Sequence, residues 1–301
     1  MKTLLPVFDY LRPATLEEAL EILEKHRDAA EVLAGGTDLL VKLKDKTSYE
    51  KKIIVDINSL KELDYVRKRG DELAVGALTR VETLMKSSVV RDYVPLLAEV
   101  AYEFGTWQIR NMATVGGNLA NASNANDFGV ALMALDAKLV LKSKGGERIV
   151  SLEKFFLSNH KADIQPGELL VEAFFPLPKP DAGTAFLKME GRESSSYPII
   201  NTAVYLRLNT NKVVEDVRIA VGGVAPTPVR LRPLEEKLRG LSLGEWSKID
   251  DVLRLVKKMV QPSSSTVASK KYRTEMSYVF VKRALMAASA QTQFLSRQYI
   301  S

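Results

Sequence analysis

The chain has 301 residues, no cysteine, two histidines and a formal net charge of +6. The missing thiols exclude disulfides, thiolate zinc sites, iron–sulfur ligation by this chain and a cysteine nucleophile; His26 and His160 are too few for a histidine metal centre. Lysine and arginine are spread along the chain with acids between them, which favours a mixed solvated surface over a nucleic-acid footprint. The N-terminal stretch lacks the apolar core and cleavage site of a signal peptide, and no run approaches ~18 apolar residues, so a cytoplasmic protein without a membrane span is expected. His26 and His160 have charged or polar neighbours and read as surface residues, and no G-x-S-x-G elbow accompanies them.

In chain order, "TLEEALEILEKH" opens with Thr15 as N-cap and Glu18 three residues on, and Leu16, Ala19, Leu20 and Leu23 share one helical face. "AEVLAGG" reads as a short buried strand entering a glycine turn; "KKIIVDI" and "ELAVGAL" read as further strands. "RVETLMKSSVVRDYVPLLAEVAYEF" holds two helical stretches interrupted near Ser87–Asp92. "GVALMALDAKLVLKS" runs from helix to strand with Asp136 and Ala137 at the turn, and "ELLVEAFFPLP" is a strand. "LPKPDAG", Leu177 to Gly183, is the expected linker. Beyond it come strands in "PIINTAVYLRLN", "KVVEDVRIAVGGVAP" and "TPVRL", then helices in "EWSKIDDVLRLVKKMV" and "RTEMSYVFVKRALMAASAQTQFL". The pattern is α+β or α/β before the linker and a second region after it.

Two glycine segments carry the chemistry. In "VLAGGTDLLVKLK", Gly35 and Gly36 follow an apolar strand, and Thr37 and Asp38 lead into an apolar run. Bare backbone there can approach a ligand, and successive N–H groups form a concavity suited to phosphate. In "TVGGNLANASNAND", Thr114, Gly116, Gly117 and Asn118 repeat that chemistry, with Ser123 and Asp127 further on. A carboxylate such as Asp127 suits a ribose hydroxyl or an amide donor better than a phosphate. The two segments together read as a dinucleotide cradle, although neither is the G-x-G-x-x-G of a Rossmann unit. A plain strand–turn–helix satisfies the same composition.

"AGGTDLL", "IRNMATVGGNLANAS" and "ALMALDA" resemble the FAD-binding medium subunit of the molybdenum hydroxylase family, the xanthine, molybdenum-type carbon monoxide and aldehyde dehydrogenases. "PGELLVEAFFP", "VGGVAPTPVR" and "SKKYRTEMSYVFVKRAL" extend the likeness over nearly the whole chain. The resemblance implies an α+β fold: a two-lobed FAD-binding domain of the PCMH type over residues 1–178, with lobes of about 1–57 and 58–178, then a smaller C-terminal α+β domain of the CO-dehydrogenase-flavoprotein type over 179–301. It implies FAD in this chain, with molybdopterin and two [2Fe–2S] clusters in large and small partner subunits, assembled as a dimer of heterotrimers. Electrons would pass from the clusters through FAD to a final acceptor, and an exposed apolar patch would meet the partners. The alternatives are a stand-alone FAD-dependent NAD(P)H oxidoreductase and a nucleotide-binding assembly module without turnover.

By the same resemblance, Gly35, Gly36, Thr37 and Asp38 hold the pyrophosphate side, with Leu33, Ala34 and Leu39 nearby. Thr114, Gly116, Gly117 and Asn118 close over the cofactor, Ser123 and Asp127 add polar contacts, Phe104 and Gly105 line the site, Leu170 packs on it, and Lys188 lies near the flavin ring. Rival roles exist: helix caps for Asp38 and Asp127, core packing for Phe104 and Tyr197, and solvation for Lys188. Arg110 and Asn111 read as loop supports. The sequence departs from the family pattern at Asn124 and Val130, where prolines are common, which implies a looser loop. It also departs at Ser195, where an acid is frequent, with Glu193 close by.

Overall fold

Thr15 caps the first helix, Leu16–His26: its Oγ1 accepts from Glu18 N (3.2 Å), while the Glu18 carboxylate accepts from Ala14 N (2.7 Å), one residue before the cap. The computed structural model describes residues 6–44, 53–191 and 197–298, with side chains to residue 292; Glu193 and Ser195 lie outside the described residues. The helix buries Ala19, Leu20 and Leu23 on a three-stranded parallel sheet, in which Ile53–Asp56 lies between Asp9–Leu11 and Ala30–Leu33. Parallel strands need a crossover, and this helix belongs to it.

A five-stranded antiparallel sheet follows, in the order Val66–Arg69, Glu72–Gly76, Leu169–Pro176, Lys138–Ser143, Gly146–Ser151. Leu78, Val140, Leu169 and Val171 join the N-terminal sheet's core, so the two sheets share one apolar seam. The stretch expected as two interrupted helices forms three: Val81–Lys86, Ser88–Tyr93 and Pro95–Glu103. The supposed interruption is itself helical because Ser87 caps it, its Oγ accepting from Val90 N (3.3 Å).

After the coil at 177–182, four antiparallel strands form a meander: Gly183–Met189, Ile200–Leu208, Val214–Gly222 and Val229–Arg230. The first of these was not anticipated. Gly183 begins it against the long helix Lys270–Gln298, where an added Cβ would overlap the Ala288 carbonyl. Among the described residues no helix is long and apolar enough to cross a membrane.

The helix Asp127–Ala134 is buried along its whole length and is held by the C-terminal sheet at both ends. At its start, Asn201 Nδ2 donates to Asp127 Oδ1 (2.6 Å) and Lys188 Nζ pairs with Asp127 Oδ2 (3.0 Å). At its end, Arg230 Nη1 donates to the Met133 carbonyl (2.9 Å) and to Asp136 Oδ1 (2.6 Å), and Arg218 pairs with Asp136 (2.9 Å). Arg230 also binds the buried Glu235 carboxylate. Replacing Arg230 by Met leaves that carboxylate without its cation and is expected to cost about 3–5 kcal/mol in urea unfolding, whereas adding Glu235→Gln, which removes the charge but keeps an acceptor for Ile219 N, should restore part of the loss.

Candidate functional site

The strand Ala30–Leu33 runs straight into Ala34 and the two glycines, so the carboxyl end of the parallel sheet opens on a cleft of about 460 Å³. This is where open parallel sheets place ligands. Twelve of the residues expected at the site line it: Ala34, Gly35, Gly36, Thr37, Asp38, Leu39, Phe104, Thr114, Gly116, Gly117, Asn118 and Leu170. Leu33, Gly105, Ser123, Asp127 and Lys188 are not among the lining residues.

The first wall is a donor surface. Gly36 adopts φ +73, a conformation glycine takes without steric cost. The N–H groups of Gly35, Gly36, Thr37 and Asp38 have no acceptor among the described residues. Four successive free donors at a glycine turn can hold an anion. Asp38 Oδ1 accepts from Tyr197 Oη (3.2 Å), so Tyr197 of the C-terminal region reaches this wall.

The second wall is different. The segment read as a glycine loop is a helix, Val115–Asn121, capped by Thr114, whose Oγ1 accepts from Gly117 N (3.1 Å). Gly116 N donates to the Ala77 carbonyl (2.9 Å) and Asn118 N to the Thr114 carbonyl (2.9 Å). These three N–H groups are therefore committed within the chain, contrary to a second phosphate-binding concavity. The glycines serve packing: a Cβ on Gly116 would lie 2.7 Å from the Ala77 oxygen. Gly117 keeps that face of the helix bare, and Asn118 Oδ1 is buried without a hydrogen-bond partner among the described residues.

Ala122 ends this helix at φ 48, and Asn126, rather than Asp127, caps the next, its Oδ1 accepting from Gly129 N (2.7 Å). The looser loop expected from Asn124 is not found. Asn124 N donates to Asn159 Oδ1 (3.0 Å), its carbonyl accepts from Gly223 N (2.8 Å), and its amide donates to the Ala225 carbonyl (3.4 Å). The first of these bonds needs an N–H that proline lacks. Ser123 Oγ accepts locally from Ala125 N (3.4 Å).

Asp127 and Lys188 form a buried cluster behind the cleft. Lys188 Nζ lies 3.0 Å from Asp127 and 2.8 Å from Glu190, and donates to the Glu103 carbonyl (3.0 Å). Burial pushes the Asp127 carboxyl up, and the ammonium beside it works against that. Burial lowers Lys188, but its two carboxylates outweigh it and hold the ammonium above the ordinary lysine value. Arg110 Nη1 donates to the carbonyls of Tyr102 (3.1 Å), Phe104 (3.3 Å) and Gly105 (3.2 Å), the support role expected of it. Lys188 and Arg110 thus finish the helix Pro95–Glu103 and aim Phe104, whose ring lies 5.5 Å from that of Phe128.

Sequence reasoning named Leu170 but missed the rest of a third side, residues 160–162 and 164–169, together with Lys42 and Asn121. Lys42 Nζ donates to Asn121 Oδ1 (2.9 Å), joining the first wall to the end of the second. His160 is exposed, as read, and also borders the cleft; its ring nitrogen lies 3.0 Å from the Asn121 carbonyl. Only Pro166 to Leu169 fall in a stretch that the resemblance had marked, and "HKADIQ" before it looks like an ordinary polar loop.

A parallel sheet ending in a free-donor turn, faced by a glycine-surfaced helix, defines an α+β protein with a dinucleotide-type cleft. Residues 6–178 match the FAD binding domain in molybdopterin dehydrogenase, and residues 185–288 match the CO dehydrogenase flavoprotein C-terminal domain. The glyceraldehyde dehydrogenase medium chain of Sulfolobus acidocaldarius is 33% identical over 279 residues, covering 93% of this chain and 97% of that one. The xanthine dehydrogenase FAD-binding subunit of Escherichia coli O157:H7 is 32% identical over 283 residues, covering 93% and 96%. A solved carbon monoxide dehydrogenase from Hydrogenophaga pseudoflava, which lacks the Mo-pyranopterin moiety, superposes with a TM-score of 0.91 at 30% identity, covering 95% of this chain and 99% of that one. The chain belongs to the family of FAD-binding medium subunits of molybdenum hydroxylases, flavoprotein subunits of molybdenum-dependent dehydrogenases.

The third side of the cleft is anchored by Arg148, which binds Glu168 (2.6 Å) and Asp163 (2.9 Å). Arg148 holds the Asp163 carboxyl below its ordinary value; burial pushes Glu168 up, but the hydrogen bonds from Arg148 and Gln165 N leave it lowered as well. Depressed carboxyls contribute stability above their unfolded pKa that is lost as pH falls through the folded one. Arg148→Met should therefore be less stable than the parent near pH 7, and the gap should close by roughly pH 2–3 in acid-titrated urea melts.

Proposed function

We propose that FAD lies extended in this cleft, between a lobe of residues 1–57 and a lobe of 58–178, with its pyrophosphate on the N–H groups of Gly35 to Asp38. The observation that carries this reading is the run of four unpartnered donors opposite the bare face at Gly117. Asn118 Oδ1, buried and unpaired, offers an acceptor to a cofactor hydroxyl. Thr37 can add a hydroxyl donor, Leu39 and Leu170 supply apolar contact, and Phe104 closes one end.

Bound FAD would supply a carrier able to take electrons singly and give them up in pairs. This chain's residues bind and orient it; none need act as acid, base or nucleophile on the organic substrate. The electrons come from [2Fe–2S] clusters in a small partner subunit, supplied by substrate oxidation at molybdopterin in a large one, and leave to a final acceptor. The medium-chain relatives support a heterotrimer; its doubling into a dimer of heterotrimers is part of this proposal. Exposed Tyr102, Trp107 and Met112, on successive helices beside the Gly35 wall, fit a surface that partners cover.

Purified from its native source, the chain should bring with it two further chains carrying iron and molybdenum; a yellow single chain that reduces dyes from NADH would instead support a stand-alone oxidoreductase. Gly117→Val puts methyl groups where the second wall must stay bare, and is expected to weaken FAD binding at least about tenfold by flavin fluorescence titration. Unchanged affinity would place the pyrophosphate elsewhere.

A further inference from the structure

The backbone ladder between Ala30–Leu33 and Ile53–Asp56 does not stop where the strands end. Ile57 N donates to the Leu33 carbonyl (3.0 Å), and the next residue continues the series with its side chain: Asn58 Nδ2 donates to the Ala34 carbonyl (2.8 Å). The other hydrogen of that amide goes to Asp56 Oδ1 (2.7 Å), which also accepts from Asn58 N (3.0 Å). Asp56 is buried, and its second oxygen accepts from Tyr10 Oη. These bonds outweigh burial, which works the other way, and leave the Asp56 carboxyl below its ordinary value. Both acceptors facing the Asn58 amide nitrogen are oxygens, so the orientation of the amide is determined by its partners.

The Ala34 carbonyl and the Gly35 N–H belong to one peptide unit. That unit is planar and trans, so its C=O and N–H point in opposite directions. Holding the carbonyl on Asn58 aims the Gly35 N–H away from Asn58. The plane of this unit is set by ψ of Ala34 and φ of Gly35, and with no Cβ on Gly35 the second of these is little restricted. Asn58 does not line the cleft.

We propose that Asn58 is a positioning residue for the cofactor pyrophosphate, acting through the Ala34–Gly35 peptide, with Tyr10 and Asp56 holding the Asn58 amide in turn. The inference rests on the reading that the Gly35–Asp38 donors bind the pyrophosphate of FAD. Asn58 is an exposed side chain, so its removal takes away a positioning bond without opening a cavity. Asn58→Asp keeps the shape but replaces both donated hydrogens with acceptor oxygen facing oxygen; Asn58→Ala removes the group.

The test uses the full chain stripped of cofactor and titrated with FAD. Both variants should bind FAD about tenfold more weakly, the size expected for one lost positioning hydrogen bond. The 31P resonances of bound FAD should shift relative to the parent in both, while the melting temperature of the cofactor-free chain stays unchanged in Asn58→Ala; Asn58→Asp also sets a carboxylate against that of Asp56, so its melting temperature is not part of the test. A merely structural role would lower that melting temperature along with affinity and leave the 31P resonances in place, and that result overturns the proposal. So does FAD affinity within twofold of the parent in both variants. If the parent itself binds no FAD, the reading of the cleft falls instead, and the two failures are distinguishable.

Discussion

The Gly35 backbone lies against the Met112 carbonyl at a separation no side chain would allow. That contact sets the width of the cleft. With any Cβ at Gly35 the parallel sheet would stand off from the helical wall, and the Gly35–Asp38 donors would no longer face the helix Val115–Asn121. Gly116 repeats the constraint one layer deeper, against Ala77, and so seats the second wall on the five-stranded sheet. Backbone-to-backbone approach of this kind is what glycine permits and what its entropic cost is spent on.

Around that contact the walls divide the work. The sheet side donates; the helix side, its own N–H groups already used, presents bare surface and one orphaned acceptor. An anion with flanking hydroxyls and flat rings suits such an asymmetric cleft better than a symmetrical pair of phosphate nests would. Two of the charges expected at the cofactor, Asp127 and Lys188, do something else. Asp127, Lys188 and Glu190 are turned inward, and with Asn201 they tie the C-terminal sheet to the helix behind the cleft. At the other end of that helix Arg230 and Arg218 close on Asp136. The C-terminal region is thus a brace on the cofactor wall, and through Tyr197 it also touches Asp38 directly.

Much of this was legible in the chain itself. Thr15 and Glu18 announce the first helix, alternation and glycine mark the strands, and the two glycine segments fall on the two walls of the cleft. The errors share a cause. "TVGGNLAN" has the composition of a loop, since glycine and asparagine are poor helix formers; it is helical because Thr79, Ala77 and Thr114 accept its first N–H groups. Ser87 hid a helix for the same reason, its cap being a single hydroxyl within an apparent break. Asn124 looked like a loosened proline site and is instead tied to residues 159, 223 and 225.

What the sequence determined by itself was chemistry that is local: where backbone is bare, which hydroxyls cap, which faces are apolar, and therefore which segments can approach a dinucleotide. What only the tertiary structure decided was where each polar group spends its hydrogen bonds. Asp127 could have met a ribose and meets Asn201 and Lys188; His160 is exposed and meets the Asn121 carbonyl at the cleft; Asn58 carries no motif and holds the peptide that begins the donor wall. Those partners lie 24 to 74 residues away along the chain. A hydrogen bond depends on distance and direction in space, and neither is encoded within the window over which a local sequence pattern can be read.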